Sequence, residues 1–323
     1  MKGLELCRSY YEEVGAPALR ERFQELMPRA AAGLCGQGSD CLGLDDEYSR
    51  DHDFGPGFCL WLSDADFAEY GEALQQAYDA LPKEYMGFTR RDTHTGAQRV
   101  GVMRTSDFYR YYIGCPGVPD TPMRWLRIQE HFLATCTSGA VFEDGLGEFT
   151  GIRNGLLPCY PEDVRKKKLA ARAATMAQSG QYNYPRLMRR SDPSGARLAL
   201  AEFLNAALSM VYLLNFRYEP FYKWQFAGAG ELVAMSDALP YLREIACLST
   251  RRDGELIASH VENVAGAAIR ELRLQGLTDA AGDYLEPHAY SIMSRIEDPE
   301  LRGLHVMELS LIHISEPTRP ISI

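Results

Sequence analysis

The sequence predicts an α+β protein, a mixed sheet with helices followed by an all-helical domain. Three observations carry this. Phe58-Cys59-Leu60-Trp61-Leu62 is an unbroken apolar run of strand length, as a strand buried on both faces requires. On either side of it, apolar residues recur every three to four positions, the helical period. Beyond about Pro158 only the helical period remains. The expected boundaries are 1–157 for a sheet-containing domain with N-terminal helices and 158–308 for a helical domain.

Leu4, Cys7, Tyr10, Tyr11 and Val14 place a helix over 3–14. Pro17 opens a second, through Leu19, Phe23 and Leu26, and Pro28 ends it. The small-residue run Ala30–Gly36 reads as a buried strand entering a tight turn. After the apolar run, Ser63 caps a helix whose first turn holds Asp64 and Asp66, where carboxylates meet the positive end of the helix dipole. Met86–Thr89 and Arg99–Met103 read as two strands joined around Thr95-Gly96. Ser106-Asp107 starts a helix through Tyr112, and Trp125, Ile128, Phe132 and Leu133 mark another. Ala140-Val141-Phe142 is a short strand before the Asp144–Gly147 turn. Pro161 with Glu162 and Asp163 behind it is a helix start, and further helices are expected near 194–216, 236–248, 254–275 and 278–295.

Composition narrows the function classes. The 323 residues carry 34 Lys and Arg against 44 Asp and Glu, a net charge of −10, with 46% hydrophobic and 24% charged residues. These values are ordinary for a globular protein and exclude a disordered or collagen-like chain. The acidic balance argues against sequence-independent binding of duplex nucleic acid, which needs a basic face, but leaves room for a local phosphate pocket. Eight cysteines contain no Cys-x-x-Cys pair, so no structural zinc site is expected. Met1–Glu5 lacks the apolar core of a signal peptide, and reduced thiols in a cytoplasmic protein are expected. Leu198–Phe216 is long enough to span a bilayer, but Glu202, Asn205 and Asn215 make it a buried helix, and no membrane partner is expected. Leu309–Arg319 departs from the preceding composition and reads as the in-frame translation of a sequencing-library adapter. The natural chain is then expected to end near Glu308, and 309–323 is set aside.

The chemistry-bearing segment is Gly38-Ser39, eleven residues, then Asp51-His52-Asp53. Gly38 lets the backbone approach a ligand closely. Ser39 is placed to open a short helix, whose free amides and hydroxyl hold a phosphate oxygen. On an extended strand Asp51 and Asp53 share a face, with His52 on the other. Two carboxylates on one face suit Mg²⁺, which takes oxygen ligands and substrate phosphates. Phosphate cradle plus metal carboxylates is the arrangement for phosphoryl or nucleotidyl transfer.

This spacing resembles the signature of the polymerase-beta-like nucleotidyltransferase superfamily, in which a Ser often precedes the Asp pair as Ser49 does here. A more specific resemblance is to an uncharacterised nucleotidyltransferase-like family, domain-of-unknown-function family 4037. Four blocks carry it: Gly38–Gly57, Gly139–Gly147, Tyr160–Val164 and Tyr218–Trp224. The resemblance implies a nucleotidyltransferase-like mixed sheet with a helical domain behind it. It also implies Asp51 and Asp53 as catalytic and metal-binding residues. A nucleoside triphosphate, ATP for preference, would meet Gly38, Ser39, Ser49 and Lys223. The implied reaction is Mg²⁺-dependent transfer of a nucleoside monophosphate to a hydroxyl of a small molecule or protein. Active superfamily members usually add a third carboxylate from a later strand. The matching strand, Arg99–Arg104, holds no acid, while Asp107 lies just beyond it and Asp144 follows the next strand. The alternative reading is a non-catalytic nucleotide-binding or antitoxin-like regulatory module.

Other candidates keep two readings. Asp45, Asp46 and Glu47 read as a solvated acidic turn. Arg165, Lys168 and Arg172 form a helix stripe that faces either solvent or an anion. The 178–184 segment either lines a cleft or joins two helices. Lys223 either reaches phosphate or snorkels from an aromatic corner.

Overall fold

The computed structural model describes residues 1–50, 54–90 and 99–309. The chain forms two compact units, Met1–Pro119 with Ile128–Pro158, and Asp120–Arg127 with the chain from Cys159 onward. The segment Asp120–Arg127, expected within the first domain, thus packs with the helical one.

In the first unit, α1 (Gly3–Tyr10), a π-helical turn (Tyr11–Gly15) and α2 (Ala16–Arg22) follow as one helical run. Pro17 is accommodated within it just after the π-turn, in which the Ala16 amide reaches back to the Tyr11 carbonyl. At Gly15 a Cβ would lie 2.4 Å from the Phe58 ring, so that ring rests on bare backbone. The sheet contains β1 (Ala31–Leu34) and β2 (Cys59–Leu62), both fully buried. The Ser63 hydroxyl accepts from the Asp66 amide and caps α3 (Asp64–Asp79) as expected. β3 (Glu84–Tyr85) and β4 (Phe88–Thr89) form a separate hairpin turning at Met86-Gly87, both with positive φ. β5 (Gly101–Arg104) leads into α4 (Thr105–Ile113). The helix expected around Trp125–Leu133 is two helices, α5 (Pro122–Arg127) in the second unit and α6 (Glu130–Thr137) in the first. β6 (Ala140–Asp144) and α7 (Glu148–Leu156) complete the unit.

The four-stranded order is β5-β2-β1-β6, with β1 antiparallel to both β2 and β6 and β2 parallel to β5. The sheet is therefore mixed and the protein α+β. The pairing expected between 86–89 and 99–103 does not occur, because β4 pairs locally with β3 and β5 with β2. Thr95-Gly96 lies outside the described residues. Trp61 stacks on Phe149 at 3.8 Å between ring centroids, and Phe108 and Tyr109 close around them. Each such buried ring contributes roughly 1.5–3 kcal/mol through burial.

In the second unit α8 (Glu162–Met176) is central. A π-helical segment (Ala177–Asn183) joins it to α9 (Tyr184–Arg189). Then come α10 (Pro193–Leu214), α11 (Gln225–Ala229), α12 (Leu239–Cys247), α13 (Gly254–Leu274), α14 (Leu285–Met293) and α15 (Pro299–Gly303). The helix expected from 278 begins only at Leu285, because the Thr278 hydroxyl and the Gly282 carbonyl are tied to the buried His288 ring. α10 and α14 both pack on α8, whose buried Ala170, Ala171, Ala173 and Ala174 permit close approach. By length and composition α10 could cross a membrane, at mean hydropathy 1.4, yet 61% of that stretch is buried inside the protein.

The basic run opening α8 is not a solvated face. Arg165, Lys167 and Lys168 are buried. Arg165 holds Glu162 and Gln275 and lies over the Phe216 ring, and Lys168 lies over Tyr160. Arg172 donates to the Ser209 hydroxyl. The Lys167 ammonium donates to the carbonyls of Val306 and Glu308, at 2.9 and 2.6 Å. Burial lowers its pKa from 10.5 to about 8. Between those values the unfolded chain holds a proton that the folded amine has lost, so stability rises with pH across that window. Unfolding free energy is expected to gain up to about 3 kcal/mol from pH 8 to 10.5 relative to Lys167→Met. Identical pH slopes for the two proteins would refute this.

Candidate functional site

The strand registers bring four segment ends together. Leu34 pairs with Ala140, Gly33 with Cys59, and Cys59 with Gly101. The exit of β1 therefore meets the entries of β2, β5 and β6 at one end of the sheet. The Gly38-Ser39 loop, Gly55–Gly57 and Arg99 all lie at this end.

Ser39 opens a turn over 39–43 rather than the expected helix. The Leu44 and Gly43 amides donate to the carbonyls of Ser39 and Asp40, at 2.8 and 3.2 Å. The Asp40 carboxylate caps the turn by accepting the Cys41 amide at 2.8 Å. Asp40 is 4% exposed and forms an ion pair with Arg99. Arg99 also donates from Nε to the Gln37 carbonyl at 2.8 Å. Burial opposes the Arg99 charge, but Asp40 and the neighbouring thiols hold its pKa above the ordinary guanidinium value. The outer ends of the loop are fixed from β6: Ser138 Oγ donates to the Gly36 carbonyl, and the Gly139 amide to the Cys41 carbonyl. Gly38 has φ +129°, and a Cβ there would lie 2.2 Å from the Arg99 guanidinium and 2.4 Å from the Asp40 carboxylate.

Gly55-Pro56-Gly57 is explained by Arg90. A Cβ on Gly55, at φ +137°, would meet the Arg90 backbone at 2.7 Å, and one on Gly57 the Arg90 guanidinium at 2.6 Å. Arg90 donates to the Tyr78 hydroxyl, which also receives the Phe58 amide. Cys7, Leu34, Asp40, Gly55, Gly57, Arg90, Arg99 and Val100 line a narrow cleft whose enclosed space is about 20 Å³, room for about one water. Two guanidinium groups and one ion-paired carboxylate thus share one wall system.

The thiols around the cleft are inert. Burial pushes Cys7, Cys35 and Cys59 up to about 12, with Asp40 adding to the rise at Cys7. A thiol reagent is expected to label exposed Cys247 first and half-buried Cys115 more slowly on the native protein. The remaining six should react only on unfolding. Mass mapping that finds Cys7, Cys41 or Cys59 labelled early would contradict the packing.

Asp51, His52 and Asp53 lie outside the described residues. Ser49 is committed to the preceding turn. Its hydroxyl and amide both donate to Asp46 Oδ1 at 3.0 Å, and its oxygen accepts the Asp46 amide. That hydroxyl lowers the Asp46 pKa. Asp45 is not a solvated residue: it is buried, accepts the Gly3 amide at 2.8 Å and pairs with Lys2, anchoring the start of α1. Asp107 is half exposed between Arg104 and Arg110. Asp144 pairs with Ala31, at the far end of β1 from Gly38, and accepts the Gly147 and Thr150 amides to start α7. Three strand residues, about 10 Å, separate that end from the loop. Neither acid stands at the Gly38 end of the sheet. Lys223 is exposed in the second unit, 5.2 Å from the Trp224 ring centroid. In the 178–184 segment, Gln181 holds Glu262, the Asp283 carbonyl and the Leu285 amide, which makes the segment a structural joint. Among the described residues no group of three His, Cys, Asp or Glu is arranged to hold a metal ion. Sequence reasoning missed Arg90, Arg99 and Asp40. Two glycines flanking Pro56 were the available signal, since bare backbone implies a close neighbour.

Residues 125–225 match the family model described as a domain of unknown function (DUF4037). That range contains three of the four blocks that carried the resemblance, from Gly139 to Trp224, and bears it out there. The chain is also similar to a solved structure, a nucleotidyltransferase-like protein from Exiguobacterium sibiricum 255-15. The identity is 12% and the TM-score 0.35, over 82% of this chain and 80% of that one. No curated protein matches.

Proposed function

We propose that the first unit binds a nucleoside triphosphate at the Gly38 end of its sheet and transfers the nucleotidyl group to a hydroxyl acceptor. The observation that carries this is Gly38 itself: a backbone shaped at φ +129° beside a cleft bearing Arg90 and Arg99. The guanidinium groups make this end of the sheet locally positive for a phosphate, with Arg99 acting through the loop it holds. The site uses residues of the first unit alone.

Mg²⁺ enters through Asp51 and Asp53. Among the described residues the cleft has no set of oxygen ligands for it, since Asp40 is held by Arg99 and the Cys41 amide. The metal assignment therefore rests on the Asp-x-Asp spacing, two residues before Gly55 in the chain. A bound metal would supply charge stabilisation at the α-phosphate as pyrophosphate leaves.

A second reading, a nucleotide-binding module without transfer, is favoured by one observation. Asp107 and Asp144 belong to the opposite end of the sheet, and Arg99–Arg104, the stretch in which the superfamily pattern expects an acid, holds none. Thermal unfolding with each of the four ribonucleoside triphosphates, with and without Mg²⁺, tests the shared part. A folded-state ligand at a hundredfold excess over its Kd adds about 2.7 kcal/mol. A magnesium-dependent shift supports both readings, and pyrophosphate release then separates them. No shift with any nucleotide overturns both.

A further inference from the structure

We infer that Arg99 is the positioning residue of the Gly38-Ser39 loop, with Asp40 as its counter-charge. The inference rests on the phosphate-binding reading above. One guanidinium grips the loop on both sides of Gly38-Ser39: Nε holds the Gln37 carbonyl before it and Nη2 the Asp40 carboxylate after it. Asp40 in turn caps the Cys41 amide, so the fork fixes the curvature of four consecutive residues. Gly38 and Arg99 are made for each other in shape, because a Cβ on Gly38 would lie 2.2 Å from Nη2. Ser138 and Gly139 hold the loop ends at Gly36 and Cys41. The course of Gly38-Ser39, next to the cleft-lining Asp40, is set by Arg99.

Geometry explains why the residue is arginine. A lysine has one point charge and cannot serve a carbonyl and a carboxylate in the fixed directions of a planar fork. The pair is also mostly buried, with side-chain exposures of 17% for Arg99 and 6% for Asp40. Removing one partner strands the other charge, whereas neutralising both does not.

That asymmetry gives the test. Arg99→Gln, Asp40→Asn, the double variant and Arg99→Lys are compared with the wild type in the full chain. Three readouts are taken: melting temperature, amide exchange at Gly43 and Leu44 without ligand, and Kd for ATP with MgCl₂. Arg99→Gln is expected to speed exchange at both amides and raise Kd by at least about tenfold. The double variant is expected to recover melting temperature while its exchange and Kd stay raised, since a single amide cannot hold both loop contacts. Arg99→Lys should rescue melting temperature more than Kd. A double variant that regains nucleotide affinity together with stability would reduce the pair to a packing element and overturn the inference. So would unchanged exchange in Arg99→Gln. A wild type that binds no ATP removes the nucleotide reading instead, and the exchange data then decide the role of Arg99 in shaping the loop.

Discussion

Asp51→Asn and Asp53→Asn are each expected to abolish the magnesium-dependent stabilisation by ATP. Asparagine keeps the shape of the side chain and removes the charge that a hard cation needs. The stabilisation at stake is about 2.7 kcal/mol at a hundredfold excess of ligand over Kd. If the chain transfers nucleotidyl groups, pyrophosphate release should fall by roughly a hundredfold or more, as when one preorganised transition-state contact is lost. Calorimetric titration of ATP with and without MgCl₂ measures the first effect. Undiminished magnesium-dependent binding in both variants would remove these two residues from the site.

Gly38→Ala is expected to destabilise the first unit strongly for a single methyl addition. Two costs combine. At φ +129° an L side chain is strained, by about 1–3 kcal/mol. The Cβ also falls inside contact distance of the Arg99 guanidinium and the Asp40 carboxylate, and overpacking costs typically 1–3 kcal/mol. Together they give roughly 2–6 kcal/mol. Gly43→Ala is the control. Gly43 has φ +71° with nothing within 4 Å of a Cβ, so only the conformational cost of about 1 kcal/mol applies. Hydrogen exchange at the β1 and β2 amides reads the first unit by itself and ranks the two variants. Equal effects would show that Arg99 and Asp40 give way, and that the loop is less rigidly held than its contacts indicate.

Much of the fold was legible in the chain because it depends on local pattern. The apolar run 58–62 became β2 because a strand paired on both sides buries both of its faces. Ser63 capped its helix because the bond runs between neighbours. The pairing of 99–103 was misassigned because strand partners are chosen by the whole sheet, and β2 offered a longer apolar edge than the two-residue β4. The basic run 165–168 looked solvated because charge alone does not reveal a partner. Its partners are the distant Gln275, Val306 and Glu308.

For the site the division is similar. Residue type and spacing determined the phosphate-and-carboxylate candidates, Gly38, Ser39, Asp51 and Asp53, since those features are written within sixteen consecutive positions. The tertiary structure alone decided that Asp144 stands at the far end of β1 from Gly38, and that Arg90 and Arg99 line one cleft with Asp40. The physical reason is reach. A cap or a turn is closed by residues a few positions apart, whereas a cleft is closed by side chains that only strand register brings together, and register is set by burial of the whole sheet.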